Sequence, residues 1–240
     1  RLNLSMLSQL RPVNVNLIGV GAGYSYSMSG PSHHAFEDLT IMRALPNLEV
    51  FSPADAVSAT TYLDYTLSQK RPKYLRFDAQ PLASVYADPQ SLSIDQGFGQ
   101  LQEGEEVCLV ATGYMTHKAL AVAERLAECQ ITIGVIDLFA LGRFDSVQLA
   151  DQLATYRHII SIEEGFIGKG GLDALVSALL REHDLSSSHL AMGLDSRYVF
   201  KSGSRDGLLA GNGVGEDRIE SEVLSLLNEK TASTMKGEST

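Results

Sequence analysis

The sequence predicts an α/β protein with mostly parallel sheets, laid out as two consecutive units. Short runs of branched apolar residues alternate with longer stretches in which apolar residues recur every three or four positions, as strands joined by helices do. That alternation breaks once, from residue 78 to about 95 (DAQPLASVYADPQSLSID), where two prolines and weak periodicity read as a linker between domains. The units are expected at 1–88 and 95–229, with a small, polar, disordered tail at 230–240. A chain of 240 residues, 44% of them hydrophobic, can bury two cores.

In the first unit, Val13–Val20 (VNVNLIGV) reads as a buried strand, short and rich in branched residues. Gly19, Gly21 and Gly23 lead into a polar loop, YSYSMSGPSHH. A helix is expected from near His34, because Phe36, Leu39, Met42 and Leu45 recur at helical spacing, and Pro46 stops it. Leu48–Phe51 is a short strand. Ser52-Pro53-Ala54-Asp55 reads as a helix start, with Ser52 at the N-cap, Pro53 at the first helical position and an acid in the first turn. Val57, Leu63 and Leu67 supply its apolar face, and Tyr74–Phe77 is the next strand.

The second unit alternates more regularly. Strands are expected at Glu106–Ala111, Ile131–Ile136, His158–Ile162 and His189–Leu194. The helices between them are marked by Met115, Ala119, Val122, Ala123 and Leu126, by Leu149, Leu153 and Tyr156, and by Leu172, Leu175, Val176 and Leu179. Ile219, Val223 and Leu226 close the fold with a last helix. This order places helices on both faces of a mostly parallel sheet.

Composition excludes several classes of function. Basic and acidic residues balance up to residue 88, so the whole net charge of -10 falls after it. No basic stripe exists, which argues against a nucleic-acid partner, and the acidic second half reads as solubility. No apolar run approaches the ~20 residues that cross a bilayer. Cys108 and Cys129 form no CxxC pair, so neither a disulfide framework nor a zinc site is expected, and no metal ligand is assigned. Without a signal segment, the cytoplasm is the expected location. The chain opens on Arg1 rather than Met, which reads as a chain whose start lies upstream.

The informative stretch runs from Gly19 to Asp55 (GVGAGYSYSMSGPSHHAFEDLTIMRALPNLEVFSPAD). Glycines at 19, 21 and 23 let the backbone turn tightly, but the spacing is not GxGxxG and no acidic residue ends a following strand, so a dinucleotide site is not expected. Gly30-Pro31-Ser32 then brings His33 and His34 to a strand-to-helix edge, where open α/β sheets bind ligands. An imidazole there can move protons to and from a carbonyl or hydroxyl; the alternative is a histidine that only caps the following helix. Glu163 and Glu164 could pair as acids, but read as a strand-end pair at a domain contact.

The order Gly-Pro-Ser-His, Glu-Asp, Met-Arg-Ala-Leu-Pro-Asn and Ser-Pro-Ala-Asp resembles the pyrimidine-binding domain of the transketolase family, which includes 1-deoxy-D-xylulose 5-phosphate synthase. Glu163, Glu164, Gly170 and Gly171 resemble that family's C-terminal domain, and the resemblance spans nearly all of residues 12–228. It implies a partial thiamine-diphosphate-type pyrimidine domain followed by a C-terminal α/β domain. His33 then matches the active-site histidine that faces the substrate and the cofactor's reactive carbon, and Ser29, Ser32 and His34 fall at substrate-binding positions. His34 stands where the family usually has glutamine.

The departures are as informative. Ser29 replaces an acidic residue that in those enzymes contacts a substrate hydroxyl. Arg76-Phe77 is followed by Asp78 and Ala79, where the resemblance expects an arginine that grips phosphate, so Arg76 is read as a structural ion pair. The family's pyrimidine-activating glutamate lies upstream of Arg1, and no Gly-Asp-Gly diphosphate motif occurs; Asp206-Gly207 is read as a loop near a short helix. Thiamine diphosphate and Mg²⁺ would therefore be held mainly by a missing part or by a diphosphate-binding partner subunit, in a homo- or hetero-oligomer. The implied reaction moves a two-carbon unit from a ketose or 2-oxo acid to an aldehyde. The alternatives are a beta subunit of a 2-oxo acid dehydrogenase and a non-catalytic subunit that keeps the fold.

One outcome follows from these absences. Calorimetric titration of the isolated 240-residue chain with thiamine diphosphate and Mg²⁺ is expected to show no tight binding. Sub-micromolar binding would contradict this assignment of the missing groups.

Overall fold

The structure, a computed structural model, describes residues 1–237, with side chains as far as residue 228. A π-helical turn, Leu2–Leu7, runs into a short α1 (Ser8–Leu10). A three-stranded parallel sheet follows in the order β1 (Val15–Val20), β3 (Pro72–Phe77), β2 (Glu49–Phe51), with α2 (Asp38–Arg43) and α3 (Ala56–Ser68) as its crossovers. Central β3 carries two buried cations, Lys73 and Arg76. Lys73 is tolerated because Nζ donates to Asn14 Oδ1 (2.8 Å) and to the carbonyls of Gln69 (2.6 Å) and Arg71 (2.8 Å), so no donor is stranded.

The expected buried strand at Val13–Val20 is instead an edge. Among the described residues β1 pairs only with β3, and Ile18 and Val20 are 57% and 58% exposed. Branched residues report a fit to a pleated sheet, not how many neighbours the strand has. The helix expected from His34 starts at Asp38; the histidines lie in and just after a 3-10 turn at Pro31–His33. α3 is capped by Asp55 rather than Ser52. Asp55 Oδ1 accepts the Ser58 amide (2.7 Å) and Ser58 Oγ reaches back to the Asp55 amide (3.3 Å), a capping box that overrides the proline signal.

The second sheet is ordered β4 (Gly99–Gln102), β6 (Gly134–Asp137), β5 (Val107–Ala111), β7 (His158–Phe166), β8 (Ser188–Leu194), parallel except for β4. β4 (GQLQ) has no β-branched residue and gives no strand signal. Alternate side chains of β5 enter opposite cores. Val107, Leu109 and Ala111 pack beneath α4 (Tyr114–Glu128), α7 (Arg205–Gly211) and α8 (Glu216–Gly237). Cys108 and Val110 pack beneath α5 (Ser146–Leu153) and α6 (Leu172–Glu182). The tail expected from 230 begins inside α8, and residues 238–240 lie outside the described residues. Asp206-Gly207 falls in the first turn of α7, not in a loop, because Ser204 Oγ caps that turn by accepting the Gly207 amide (3.1 Å).

The second of these cores crosses the unit boundary: Leu39, Leu48, Val50 and Tyr74 pack with Ile136, Leu141 and Leu172. Backbone bonds cross it as well, from Ser52 N to Phe139 O and from Leu141 N to Val50 O (2.8 Å each). The stretch at 78–95 joins the units as a strap tied along its length. Tyr86 and Leu92 are buried, Asp55 Oδ2 accepts the amides of Val85 (2.9 Å) and Tyr86 (3.0 Å), and Tyr86 Oη donates to Asp137 Oδ2 (2.8 Å).

Asp137 is fully buried between Tyr86 and the Thr116 hydroxyl (2.8 Å), and burial pushes its pKa up to about 7 against the pull of those hydrogen bonds. Burial raises Glu163 to about 7 as well. An ordinary carboxyl titrates near ~4, so between that pH and 7 the folded chain holds protons that the unfolded chain has released. Stability should therefore fall as pH rises through this window and level off above it. Melting temperature is expected to drop from pH 5 to pH 8, and Asp137→Asn should flatten part of that slope. A profile that rises with pH, or is untouched by the substitution, would contradict the assignment.

Candidate functional site

Beyond β1 the chain turns on Gly21 (φ +106°) and Gly23 (φ +57°), a left-handed path that side chains disfavour. Gly23 and Ala35 then exchange backbone hydrogen bonds (3.0 and 3.1 Å), so the intervening residues project as a loop from a closed base. Tyr24 fills that base. It is fully buried, with its ring edge-on to Phe36 (4.7 Å) and to His34 (4.8 Å). Burial and then Glu164 push its hydroxyl up to about 12, so it stays protonated.

The loop itself is two 3-10 turns, Ser27–Ser29 and Pro31–His33, hinged at Gly30 (φ +80°). This geometry sorts the four candidate residues. Ser29, Ser32 and His33 are exposed, and Ser32 Oγ lies 3.1 Å from His33 Nδ1. His34 turns the other way, into the aromatic base, where burial lowers its pKa against smaller upward pulls from the Ser27 backbone and Glu164. Ser32 and His33 are thus brought together on an open edge, Ser29 lies one turn before them, and His34 belongs to the loop's support.

Arg76 forms the structural ion pair expected of it. Its Nε donates to Asp38 Oδ2 (2.9 Å) and Nη2 to the carbonyls of Ala35 (3.0 Å) and Glu164 (3.2 Å). Burial alone would lower its pKa, but Asp38, with smaller pulls from Glu164 and Tyr74, holds it above its ordinary value. Tyr74 Oη donates to the same carboxylate (2.8 Å). Ala79 follows Asp78, whose carboxylate is taken by Arg205 Nη1 (2.6 Å).

Glu163 and Glu164 lie inside β7, which extends to Phe166 past its expected end; Glu164 forms a contact between the units, whereas Glu163 bonds within the second. Glu163 Oε1 accepts the Asp173 amide (3.1 Å) at the start of α6, and a Cβ at Gly171 would collide with its carboxylate. The anion-attracting end of α6 is therefore filled from within the chain. Glu164 Oε1 accepts the Tyr24 amide (3.2 Å), and both its oxygens are held by Arg205 (2.9 and 2.5 Å). From α2, Arg43 crosses to the carbonyls of Leu141 (3.0 Å), Gly171 (2.6 Å) and Gly170. Arg205 carried no signal in the sequence, since its partners lie 41 and 127 residues away. Among the described residues, no group of three or more His, Cys, Asp or Glu is placed to hold a metal ion.

Two domain families match this arrangement: the transketolase pyrimidine-binding domain over residues 3–83 and the transketolase C-terminal domain over residues 99–219. The chain belongs to the transketolase family. It is 27% identical over 213 residues to one of the subunits of the apulose-4-phosphate transketolase of Actinobacillus succinogenes, covering 89% of this chain and 68% of that one. It is 30% identical over 216 residues to the transketolase of Homo sapiens, where it spans only 34% of the length. Among solved structures, a split-gene transketolase described as an inactive beta4 tetramer superposes with a TM-score of 0.79 at 29% identity, over 91% of this chain and 69% of that chain. The transketolase of Campylobacter jejuni shares the fold (TM-score 0.72, 20% identity, 88% of this chain and 31% of that one). The transketolase family uses thiamine diphosphate, and no described helix is long and apolar enough to cross a membrane.

Removing one partner of a buried ion pair strands the other charge, at a cost of about 3–5 kcal/mol. Arg76→Leu should therefore destabilise the chain by about that amount, because it takes the charged donor from Asp38, which keeps the Tyr74 hydroxyl, and from the carbonyls of Ala35 and Glu164. Urea denaturation measures it, and a loss below ~1 kcal/mol would show that Arg76 does not anchor the loop's base.

Proposed function

We propose that this chain is the pyrimidine-side and C-terminal part of a thiamine-diphosphate-dependent transketolase, and that its site is completed by a diphosphate-binding partner. The carrying observation is the exposed pairing of His33 with Ser32 on the Gly30 turn, at the one loop where the sequence matches the family's histidine motif. The residues present suit the substrate-facing side of such a site. The diphosphate and its Mg²⁺ fall to the partner, and the magnesium requirement is part of this proposal.

Bound between the two, thiamine diphosphate would supply the carbon nucleophile that cleaves and remakes a bond beside a carbonyl. This chain's own residues handle position and protons. With Ser32 at Nδ1, His33 is left with Nε2 facing outward, the atom that gives or takes a proton at a substrate oxygen. Ser29 replaces an acid, so a substrate hydroxyl there meets a neutral hydroxyl. Ala79 offers no cation, and Asp78 beside it is already paired, so the substrate has no terminal phosphate or binds it elsewhere. The relative from Actinobacillus succinogenes carries a sugar phosphate in its name, which makes the donor the first specificity to measure. The solved relative described as an inactive beta4 tetramer supports reading this chain as an oligomeric subunit that turns over only with its partner; a cytoplasmic location is a further part of the proposal.

The test uses the enzyme reconstituted with its diphosphate-binding subunit. His33→Ala should lower kcat by ~10²–10⁴-fold, the usual worth of a positioned acid–base group, with cofactor affinity nearly unchanged. Because His33 is exposed, the variant's melting temperature should not move. A fully active His33→Ala enzyme would overturn the assignment and leave the motif a purely structural turn.

A further inference from the structure

Arg205 lies in the first turn of α7, far in sequence from the loop that carries His33, yet it reaches the base of that loop from three sides. Nε and Nη2 hold both oxygens of Glu164 (2.9 and 2.5 Å), Nη1 holds Asp78 Oδ2 (2.6 Å), and Nη2 approaches the Ala22 carbonyl (3.4 Å). The guanidinium carbon sits over the Tyr114 ring, 3.5 Å from its centroid. We propose that Arg205 is a positioning residue for the His33 loop: by joining Glu164, Asp78 and Ala22 it fixes the base from which that loop presents its imidazole. The catalytic part of this inference rests on the functional reading above, and the structural part does not.

The coupling to the loop is direct. Glu164 accepts the Tyr24 amide (3.2 Å), and a Cβ at Gly23 would collide with its carboxylate, so the carboxylate sits against the loop's own backbone. Any shift of Glu164 is a shift of Gly23 and Tyr24. The Glu164 and Asp78 side chains are 2% and 7% exposed, and two such anions stay together only around a shared cation. The planar guanidinium fork meets both at once, whereas an ammonium is a single point that cannot hold a bidentate carboxylate and a second acid together. Neighbouring charges do not compete for these contacts, since Asp206 is paired with Lys118 (2.7 Å). The units remain joined by Arg43 and Arg76 without Arg205. Loss of the fork should therefore loosen the loop before it separates the units.

Hydrogen exchange on the full chain tests this, comparing wild type, Arg205→Lys and Glu164→Gln with Leu149→Ala, a core truncation in α5 that destabilises the chain remotely. In Arg205→Lys the amides of Tyr24, Ser25, Ser29 and His33 should exchange at least tenfold faster, and the His33 ring resonance should shift or broaden. Amides of β5 and β7 should stay as protected as in wild type. Glu164→Gln keeps the shape and the Tyr24 acceptor but weakens the fork, so it should show a smaller rise at the same amides. Leu149→Ala should not single them out. An even acceleration throughout, or none at residues 24–33, overturns the proposal. In the reconstituted enzyme, Arg205→Lys should lower kcat at least tenfold with cofactor affinity unchanged. A loosened loop combined with a fully active His33→Ala enzyme would sink the functional reading and leave the clamp standing. A tight loop in Arg205→Lys sinks the clamp whatever the activity.

Discussion

Glu163 and Glu164, side by side on β7, reach in different directions, and the two units of the chain are joined through Glu164. Glu163 meets the start of α6, beside the glycine carbonyls that receive Arg43. Glu164 takes the loop amide of Tyr24 and the fork of Arg205, and its backbone carbonyl accepts from Arg76. Arg76 and Arg205, from two elements, thus converge on Glu164, while Arg43 reaches the carbonyls of Gly170 and Gly171 just beyond the strand. Each buried charge is tolerated because an opposite charge or a carbonyl has been built against it. Losing any one would strand its partners at several kcal/mol. That constraint makes the loop carrying His33 part of the fold rather than an appendage.

Much of this was legible in the sequence because it rests on local signals. The alternation of strands and helices in the second unit follows from periodicity, and the parallel sheet with helices on both faces follows from the alternation. Arg76 as an ion pair and Glu164 as a domain contact also followed, since charged residues on buried strands need partners, whereas Glu163 turned to the start of α6 in its own unit. What the sequence did not reveal was long-range. β4 has no β-branched residues, the strap's burial depends on Asp55 and Asp137 far from it in the chain, and β1 is an edge only because of which strands are present beside it. Local signals competed as well: Ser52-Pro53 imitated a helix start, and the hydrogen bonds of Asp55 decided otherwise.

The site divides along the same line. The Gly-Pro-Ser-His string identified the loop, but spacing alone could not say that its two histidines part company, one to the open edge and one into the aromatic base. Gly30 makes that division, because its positive φ lets the second 3-10 turn swing out. Arg205 was invisible at the sequence level, although it holds more of the loop's base than any residue in the motif itself. In this chain a surface that matches transketolase at its pyrimidine side is held in place by the C-terminal unit.

If the units are one body, they must unfold together. Urea denaturation followed at two histidine rings in the same sample tests this directly, with His33 reporting the first unit and His189, held between Ser161 (2.8 Å) and Ser177 (2.9 Å), reporting the second. The account predicts a single shared midpoint for both resonances. Two separated midpoints, with the His33 signal lost while His189 keeps its native environment, would contradict it.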